Sequence, residues 1–416
     1  MSLAGHRPPQ YGGRPVGDLA DATKDYDMIG MRAIQKGVAA LTLCLTIVVS
    51  PVEAGEVTTD KLARLDAAID SAVTGGRAAG VSVTILHDEQ VILNRSAGLA
   101  DLERNAPATP ATVYRIASLT KQFTAAGVLL LAEQGKLSID DRLSLYMPDF
   151  PKADEVSLRD LLNHTAGVHN YTESDAADRI SDTGATVPQL ISAIAGQDPL
   201  YDFAPGTMWH YSNSNYALLG AVIEKVSGQT YAQFMKATIF ERLGMADTAV
   251  DDNGAIAQRR ASGYSLAGGQ AAAFRHAGHL DMSVPYAAGA VRSTVEDLAR
   301  WNVALYGGRL LSAASLAQMT GPGRLRNGAE TQTAVYWPGE PGVPPEGLIP
   351  GPYAFGLDHY SLNGHRVMGH NGSLPGFDAA MNVYPDENIT IIVLTNTGGA
   401  AGELESQLSR IVLDDR

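Results

Sequence analysis

Cysteine is almost absent from this chain: one residue in 416, Cys44. A lone thiol excludes a disulfide framework, and neither paired Cys/His spacing nor His-Glu-x-x-His occurs, so no metal and no cofactor are implied. No apolar run reaches the roughly 20 residues that a membrane-spanning helix needs. A Gly-x-Ser-x-Gly elbow is missing too, which argues against an α/β-hydrolase. Charged residues make up only 18% of the chain, and acids outnumber bases to give a net charge of −14. That sign argues against nucleic acid or an anionic membrane as partner and suits plain solubility.

Cys44 itself lies in the apolar run Gly37 to Val49, behind the basic stretch Met31-Arg32-Ala33-Ile34-Gln35-Lys36. Basic start, short apolar run, and small residues at Val52 and Ala54 match a secretory signal over Met31–Ala54, cleaved after Ala54. A secreted or periplasmic protein with no stable span is therefore expected. Leu43 stands where lipid attachment at Cys44 would want a small residue, so lipidation is not. Residues 1 to 30 are polar, precede the basic start, and are expected to lie outside the fold.

From residue 57 onward the chain is patterned. Leu62, Leu65, Ala68, Ile69 and Val73 recur at helical spacing, with Gly75-Gly76 as the stop. Val81 to Leu86 and Val91 to Leu93 bracket a polar tetrapeptide, which predicts a hairpin. Tyr353 to Tyr360, Arg366 to Gly369, Phe377 to Tyr384 and Ile389 to Thr395 read as strands, and Glu403 to Leu413 as a closing helix. The middle is mostly helical: Leu158 to Leu162, Val187 to Ala195, Tyr216 to Val226 and Tyr231 to Leu243. Strands at both ends with helices between imply an α+β fold, one antiparallel sheet built from both termini and covered by helices. The sheet region is expected at about 57–120 and 285–416 and the helical region at about 121–284, within one domain spanning 55–416. Residues 321 to 352, dense in Gly and Pro, read as a surface excursion.

Ser118-Leu119-Thr120-Lys121 leads into an almost wholly apolar stretch, Thr124 to Ala132, which reads as a helix buried on all sides. Three residues apart, the hydroxyl and amine share a helix face. Burial pushes an amine toward its neutral, proton-accepting form, so this is a nucleophile beside a base. The same tetrapeptide also fits a capping serine and a solvated lysine. Tyr211-Ser212-Asn213 follows a Pro-Gly turn and is placed on a loop just before a helix. A phenol near a cationic amine loses its proton more easily and then serves as general base; the alternative is a half-buried core tyrosine. Asn213 suits either the lysine amine or a substrate carbonyl. His370-Asn371-Gly372-Ser373 is placed at a strand end, where glycine lets backbone approach a ligand and an edge N–H donates to an oxyanion. A second His-x-Gly, His276-Ala277-Gly278, has no flanking strand signal, and His276 and His279 read as loop residues.

These pieces, in this order, together with Tyr114 to Lys121 and Leu158-Arg159-Asp160-Leu161-Leu162-Asn163-His164-Thr165-Ala166-Gly167, make the sequence resemble the serine β-lactamase and penicillin-binding-protein superfamily. It is most similar to the branch of class C-type β-lactamases, D-alanyl-D-alanine carboxypeptidases, D-aminopeptidases and β-lactamase-fold esterases. The resemblance implies Ser118 as acylated nucleophile, Lys121 as its activator and Tyr211 as proton shuttle. It also implies Asn213, His370, Gly372 and Ser373 as substrate-binding, with an oxyanion hole from the N–H groups of Ser118 and Ser373. Many relatives carry Lys-Thr-Gly at the third element; here His370 is near-neutral at pH 7, and Arg292 is the candidate to replace the missing charge. The implied function is an exported serine hydrolase acting through an acyl-enzyme on an ester or amide, a small-molecule or short-peptide substrate. The alternatives are a D-alanyl-D-alanine carboxypeptidase or class C-like β-lactamase, and a non-catalytic penicillin-binding-like module. Residues 170 to 185 and 321 to 352 are expected to set the substrate.

Overall fold

The computed structural model describes residues 58–175, 180–269, 273–331 and 347–413. The signal-peptide reading of Met31–Ala54 lies outside them, as does the 332–346 part of the 321–352 excursion. Helix α1 (Thr59–Thr74) starts where the Thr58 hydroxyl accepts the N–H of Lys61, and it buries Leu65, Ile69 and Ala72. The chain then forms hairpin β1 (Gly80–His87) and β2 (Gln90–Asp101), short strands β3 (Ala106–Pro107) and β4 (Tyr114–Arg115), and α2 (Thr120–Glu133). Asp88 and Glu89 both take positive φ, the twist a two-residue hairpin turn needs.

Helices α3 (Leu158–Leu162), α4 (Val187–Ala195), α5 (Asn213–Ser227) and α6 (Tyr231–Met235) build the middle. After them come β5 (Ala249–Val250), β6 (Tyr264–Leu266), β7 (Phe274–His276), α7 (Tyr286–Gly289), β8 (Val291–Ser293), α8 (Val295–Tyr306) and α9 (Ala313–Thr320). Four more antiparallel strands and a bulge-bearing partner finish the sheet: β9 (Leu348–Tyr353), β10 (Asp358–Leu362), β11 (His365–Leu374), β12 (Phe377–Tyr384) and β13 (Ile389–Thr395), before α10 (Ala401–Leu413).

The main sheet runs β3-β2-β1-β13-β12-β11-β10-β9, antiparallel throughout, so the first and last long strands are neighbours, with Val81 opposite Thr395. The expected α+β fold with a sheet from both ends is what is observed. On one face, Ile391 and Val393 pack with Leu65, Ile69, Leu404 and Leu408 of α1 and α10. On the other, Ile392 and Leu394 pack with Phe123, Leu129 and Trp301. Burial on both faces is why β13 reads as a continuous apolar run. Helix α2 is buried from Thr120 to Leu131, as its composition predicts.

Four details differ from the pattern reading. The run Tyr353 to Tyr360 is two strands, because Ala354 to Leu357 reverse the chain with Gly356 at φ 72°. A Cβ at Gly356 would lie 2.8 Å from the carbonyl carbon and oxygen of Lys121, so glycine is what lets this turn pack there. Burial of all four residues made the turn look like strand. The helix expected over Tyr231 to Leu243 ends at Met235 and passes into a wider turn over Lys236–Phe240, where Glu241 N–H bonds to Lys236 O. Asn213 belongs to the first turn of α5 rather than to the preceding loop. His276 closes β7, pairing with Tyr264, whose ring stacks on it at 5.6 Å; the pairing is long-range and leaves no local signal.

One buried acid gives the fold a pH dependence. Glu405 on α10 is fully buried, accepts the Tyr384 hydroxyl at 2.8 Å, and is pushed up to about 7 by burial, against that hydrogen bond. Its protonated form is the one the fold favours, so stability falls as pH rises from the ordinary carboxyl range through 7. Glu405→Gln is expected to raise the melting temperature at pH 8 and leave it nearly unchanged at pH 5, as read by thermal denaturation at both pH values.

Candidate active site

Strand β4 delivers the chain to Ile116, whose N–H bonds to Val291 O at 3.0 Å. Ala117 then takes φ 49°, and Ala117–Leu119 form a tight 3-10 turn that runs into α2. Ser118 sits in that turn, partly exposed, while Lys121 one turn later is completely buried. The Lys121 Nζ lies 3.0 Å from Ser118 Oγ, 2.8 Å from Asn213 Oδ1 and 2.9 Å from Ala288 O.

Burial drives the Lys121 amine well below its ordinary value, opposed by the charge of Asp358. A neutral amine has two N–H donors and one lone pair. The two carbonyl oxygens, of Asn213 and Ala288, can only accept, so they take the N–H groups. The lone pair is left for the Ser118 hydroxyl, which is the arrangement a general base requires.

Tyr211 approaches from the other side, its hydroxyl donating to Ser118 Oγ at 2.9 Å. Here the sequence-based expectation is overturned. Burial pushes the phenol far above its usual range, and the Ser118 hydrogen bond only partly offsets this. The Lys121 Nζ is 4.7 Å from the ring centroid, but a neutral amine offers no charge to stabilise a phenolate. Tyr211 rests as a phenol that donates to the serine.

Asn213 is likewise bonded within the protein. Its Oδ1 holds Lys121, its Nδ2 donates to Thr172 Oγ1 at 3.0 Å, and its backbone N–H bonds to Asn170 Oδ1 at 3.0 Å. The Oδ1 grips the lysine, and of the two N–H donors on Nδ2 one goes to Thr172 and the other is left for a substrate carbonyl.

His370 to Ser373 lie inside β11, not at its end. Neighbour β10 pairs with β11 only as far as Gly369, which leaves the following residues with one open edge. A two-residue turn at Pro375-Gly376 closes the hairpin between Leu374 and Phe377. Hydrogen-bonded and non-bonded pairs alternate from such a turn, so the N–H of Ser373 points away from β12 toward that open edge. The close approach at Gly372 is to the nucleophile's own segment: a Cβ there would stand 2.6 Å from Ile116 O and 2.8 Å from Ser118 N.

His370 is buried and held down to about 3 chiefly by burial, against its bond to Asn371 O. That carbonyl accepts from Nδ1, so Nε2 accepts from the Tyr353 hydroxyl at 3.1 Å. The imidazole is neutral. A β-lactamase family description matches residues 65–414, more than half of the chain.

The chain belongs to the β-lactamase family. Penicillin-binding protein 4* of Bacillus subtilis (strain 168) is 30% identical over 317 residues, covering 74% of this chain and 65% of that protein, so the chain spans about two thirds of that relative's length. The D-amino acid amidase of Ochrobactrum anthropi SV3, solved with L-phenylalanine amide, shares the fold at TM-score 0.72 and 24% identity, over 86% of this chain and 100% of that one. A D-stereospecific amidohydrolase from Streptomyces sp. aligns at TM-score 0.68 and 26% identity, over 85% of this chain and 99% of that one.

In this β-lactamase-family chain, Arg292 is ion-paired. It donates to Asp251 Oδ1 at 2.7 Å, and Arg260 and Arg115 bond to the same carboxylate at 2.6 and 3.0 Å. Four contributors escaped the sequence reading: Ala288 O, the Asn170–Thr172 pair, Tyr353 and Asp358. The Asp358 carboxyl is raised to about 7 by burial; an acid following Phe355-Gly356-Leu357 was its only local signal. Among the described residues no group of three or more His, Cys, Asp or Glu could hold a metal ion, and no helix is long and apolar enough to cross a membrane.

Proposed function

We propose that this member of the β-lactamase hydrolase family is an exported serine hydrolase with its catalytic domain in residues 55–416, cleaving a neutral ester or amide through an acyl-enzyme on Ser118. The observation that carries the reading is the hydrogen bonding of Lys121, which leaves its lone pair for the Ser118 hydroxyl.

Ser118 Oγ attacks the carbonyl carbon while its proton passes to Lys121 Nζ. The N–H groups of Ser118 and Ser373 stabilise the oxyanion. Tyr211 gives its phenolic proton to the departing alkoxide or amine and is reprotonated from Lys121, so one proton moves in total from Ser118 to the leaving group. Water repeats the sequence in reverse and frees the acid. Asn213 keeps Lys121 aimed at the serine throughout.

Neutral His370 leaves the third element without a fixed cation, which favours substrates lacking a carboxylate beside the scissile bond. D-Amino acid amides and short-chain esters fit this. The likeness to a penicillin-binding protein supports a second reading, a D-alanyl-D-alanine carboxypeptidase or β-lactamase. Comparing p-nitrophenyl acetate, D-phenylalanine amide and benzylpenicillin separates the two. Efficient turnover of the first two with weak penicillin handling is expected; rapid penicillin turnover or a stable penicillin adduct would favour the second.

His370→Lys tests the charge argument on its own. The ratio of kcat/KM for benzylpenicillin to that for p-nitrophenyl acetate is expected to rise about tenfold, equivalent to ~1.4 kcal/mol. An unchanged or lower ratio would refute it.

A further inference from the structure

The segment Asn163-His164-Thr165-Ala166-Gly167 marks the sequence without a role in the chemistry above. It follows α3, with Asn163 as cap, and docks along the loop that carries Tyr211. Gly167 O accepts Asp202 N–H at 2.8 Å, Thr165 O accepts Gly206 N–H at 2.7 Å, and His164 O accepts His210 N–H at 3.1 Å. Ser212 N–H, on the far side of Tyr211, donates to His164 Nδ1 at 3.3 Å. One residue therefore holds the backbone immediately before and immediately after the tyrosine.

The rest of His164 is built for that task. It takes φ 59°, a left-handed backbone that histidine adopts less rarely than bulky residues do. Its ring is fully buried and lies 4.5 Å from the Tyr211 ring, 5.1 Å from Tyr216 and 4.7 Å from Tyr353. Tyr353 in turn bonds to His370, so the same ring touches both walls of the site. A backbone N–H can only donate, so Nδ1 is an acceptor and the proton sits on Nε2, which has no partner among the described residues. Asn215 Nδ2 supplies a second donor to Nδ1 at 3.1 Å. Burial holds the imidazole well below its usual value, so the neutral acceptor form persists.

We propose that His164 is the positioning residue of this site: its carbonyl and Nδ1 fix the peptides flanking Tyr211, and its ring sets the phenol against Ser118. The inference rests on the reading of Tyr211 as proton shuttle. The essential feature is an acceptor at the Nδ1 position, not bulk.

Asparagine places an amide oxygen close to where Nδ1 stands and tolerates the left-handed backbone; glutamine carries its oxygen one carbon further out. His164→Asn is therefore expected to keep kcat for p-nitrophenyl acetate within about fivefold of wild type. His164→Gln and His164→Leu are expected to lose about 10²-fold in kcat at unchanged KM, the cost of a small misplacement of a catalytic group. Circular dichroism checks that each variant is folded, and Gln serves where Leu fails to fold. In a Tyr211→Phe background the Gln substitution should cause little further loss, because its target is already gone.

Equal activity of the Asn and Gln variants, or full additivity with Tyr211→Phe, would overturn the proposal. Labelling of wild-type Ser118 by a fluorophosphonate is run alongside. Its failure would count against the hydrolase reading, whereas normal labelling with equal Asn and Gln variants would count against His164 alone.

Discussion

Lys121→Met is expected to lower kcat for p-nitrophenyl acetate by about 10³-fold or more, within the range that loss of a positioned base produces. Methionine is chosen because it keeps most of the buried volume of the side chain while removing the nitrogen. Three interactions vanish together: the lone pair facing Ser118 and the two N–H bonds to Asn213 and Ala288. The substitution also removes a nitrogen that burial already keeps in its neutral form, so the fold loses no buried ion. A cooperative melt by circular dichroism verifies this. Residual activity within tenfold of wild type would mean that another group takes the serine proton.

Gly372→Ala is expected to reduce kcat by about 10²–10³-fold, comparable to losing an oxyanion donor. The added Cβ meets backbone atoms, Ile116 O at 2.6 Å and Ser118 N at 2.8 Å, neither of which can swing aside as a flexible side chain would. Strand β11 must move away from the 3-10 turn, and the N–H groups of Ser118 and Ser373 then separate. Because the lysine and tyrosine contacts to Ser118 come from α2 and the Tyr211 loop, not from β11, the serine stays activated. The expected signature is therefore a large fall in kcat with slow but complete labelling of Ser118 by a fluorophosphonate, followed by mass spectrometry over time. Wild-type kinetics in this variant would remove β11 from the oxyanion site.

Much of the framework was legible because local pattern and tertiary burial agree. Phe377 to Tyr384 and Ile389 to Thr395 were bounded by turn residues and matched β12 and β13 at both ends. The pairing of Ser118 and Lys121 followed from helical spacing, and the buried amine from the apolar residues around it. What escaped depends on contacts across the chain. Ala288 acts through its carbonyl, which no side-chain motif reveals. Asn213 stood out in the sequence, yet only the folded chain shows its Oδ1 on Lys121, its Nδ2 on Thr172 and its backbone N–H on Asn170. The sign of the Tyr211 shift turned on a competition between desolvation and a nearby charge, and burial of both groups decided it. Gly356 is a close-approach point to Lys121 that in the sequence resembles any turn glycine, and Gly372, read there as approaching a ligand, approaches the backbone of Ile116 and Ser118 instead.

The central claim is that Ser118 is a lysine-activated nucleophile. Intact-mass spectrometry after incubation with a fluorophosphonate, with peptide mapping of the product, addresses it most directly. The account predicts one adduct per chain, located on Ser118, absent from Ser118→Ala and strongly slowed in Lys121→Met. No adduct on the folded wild-type protein, or an adduct on a different residue, would contradict it.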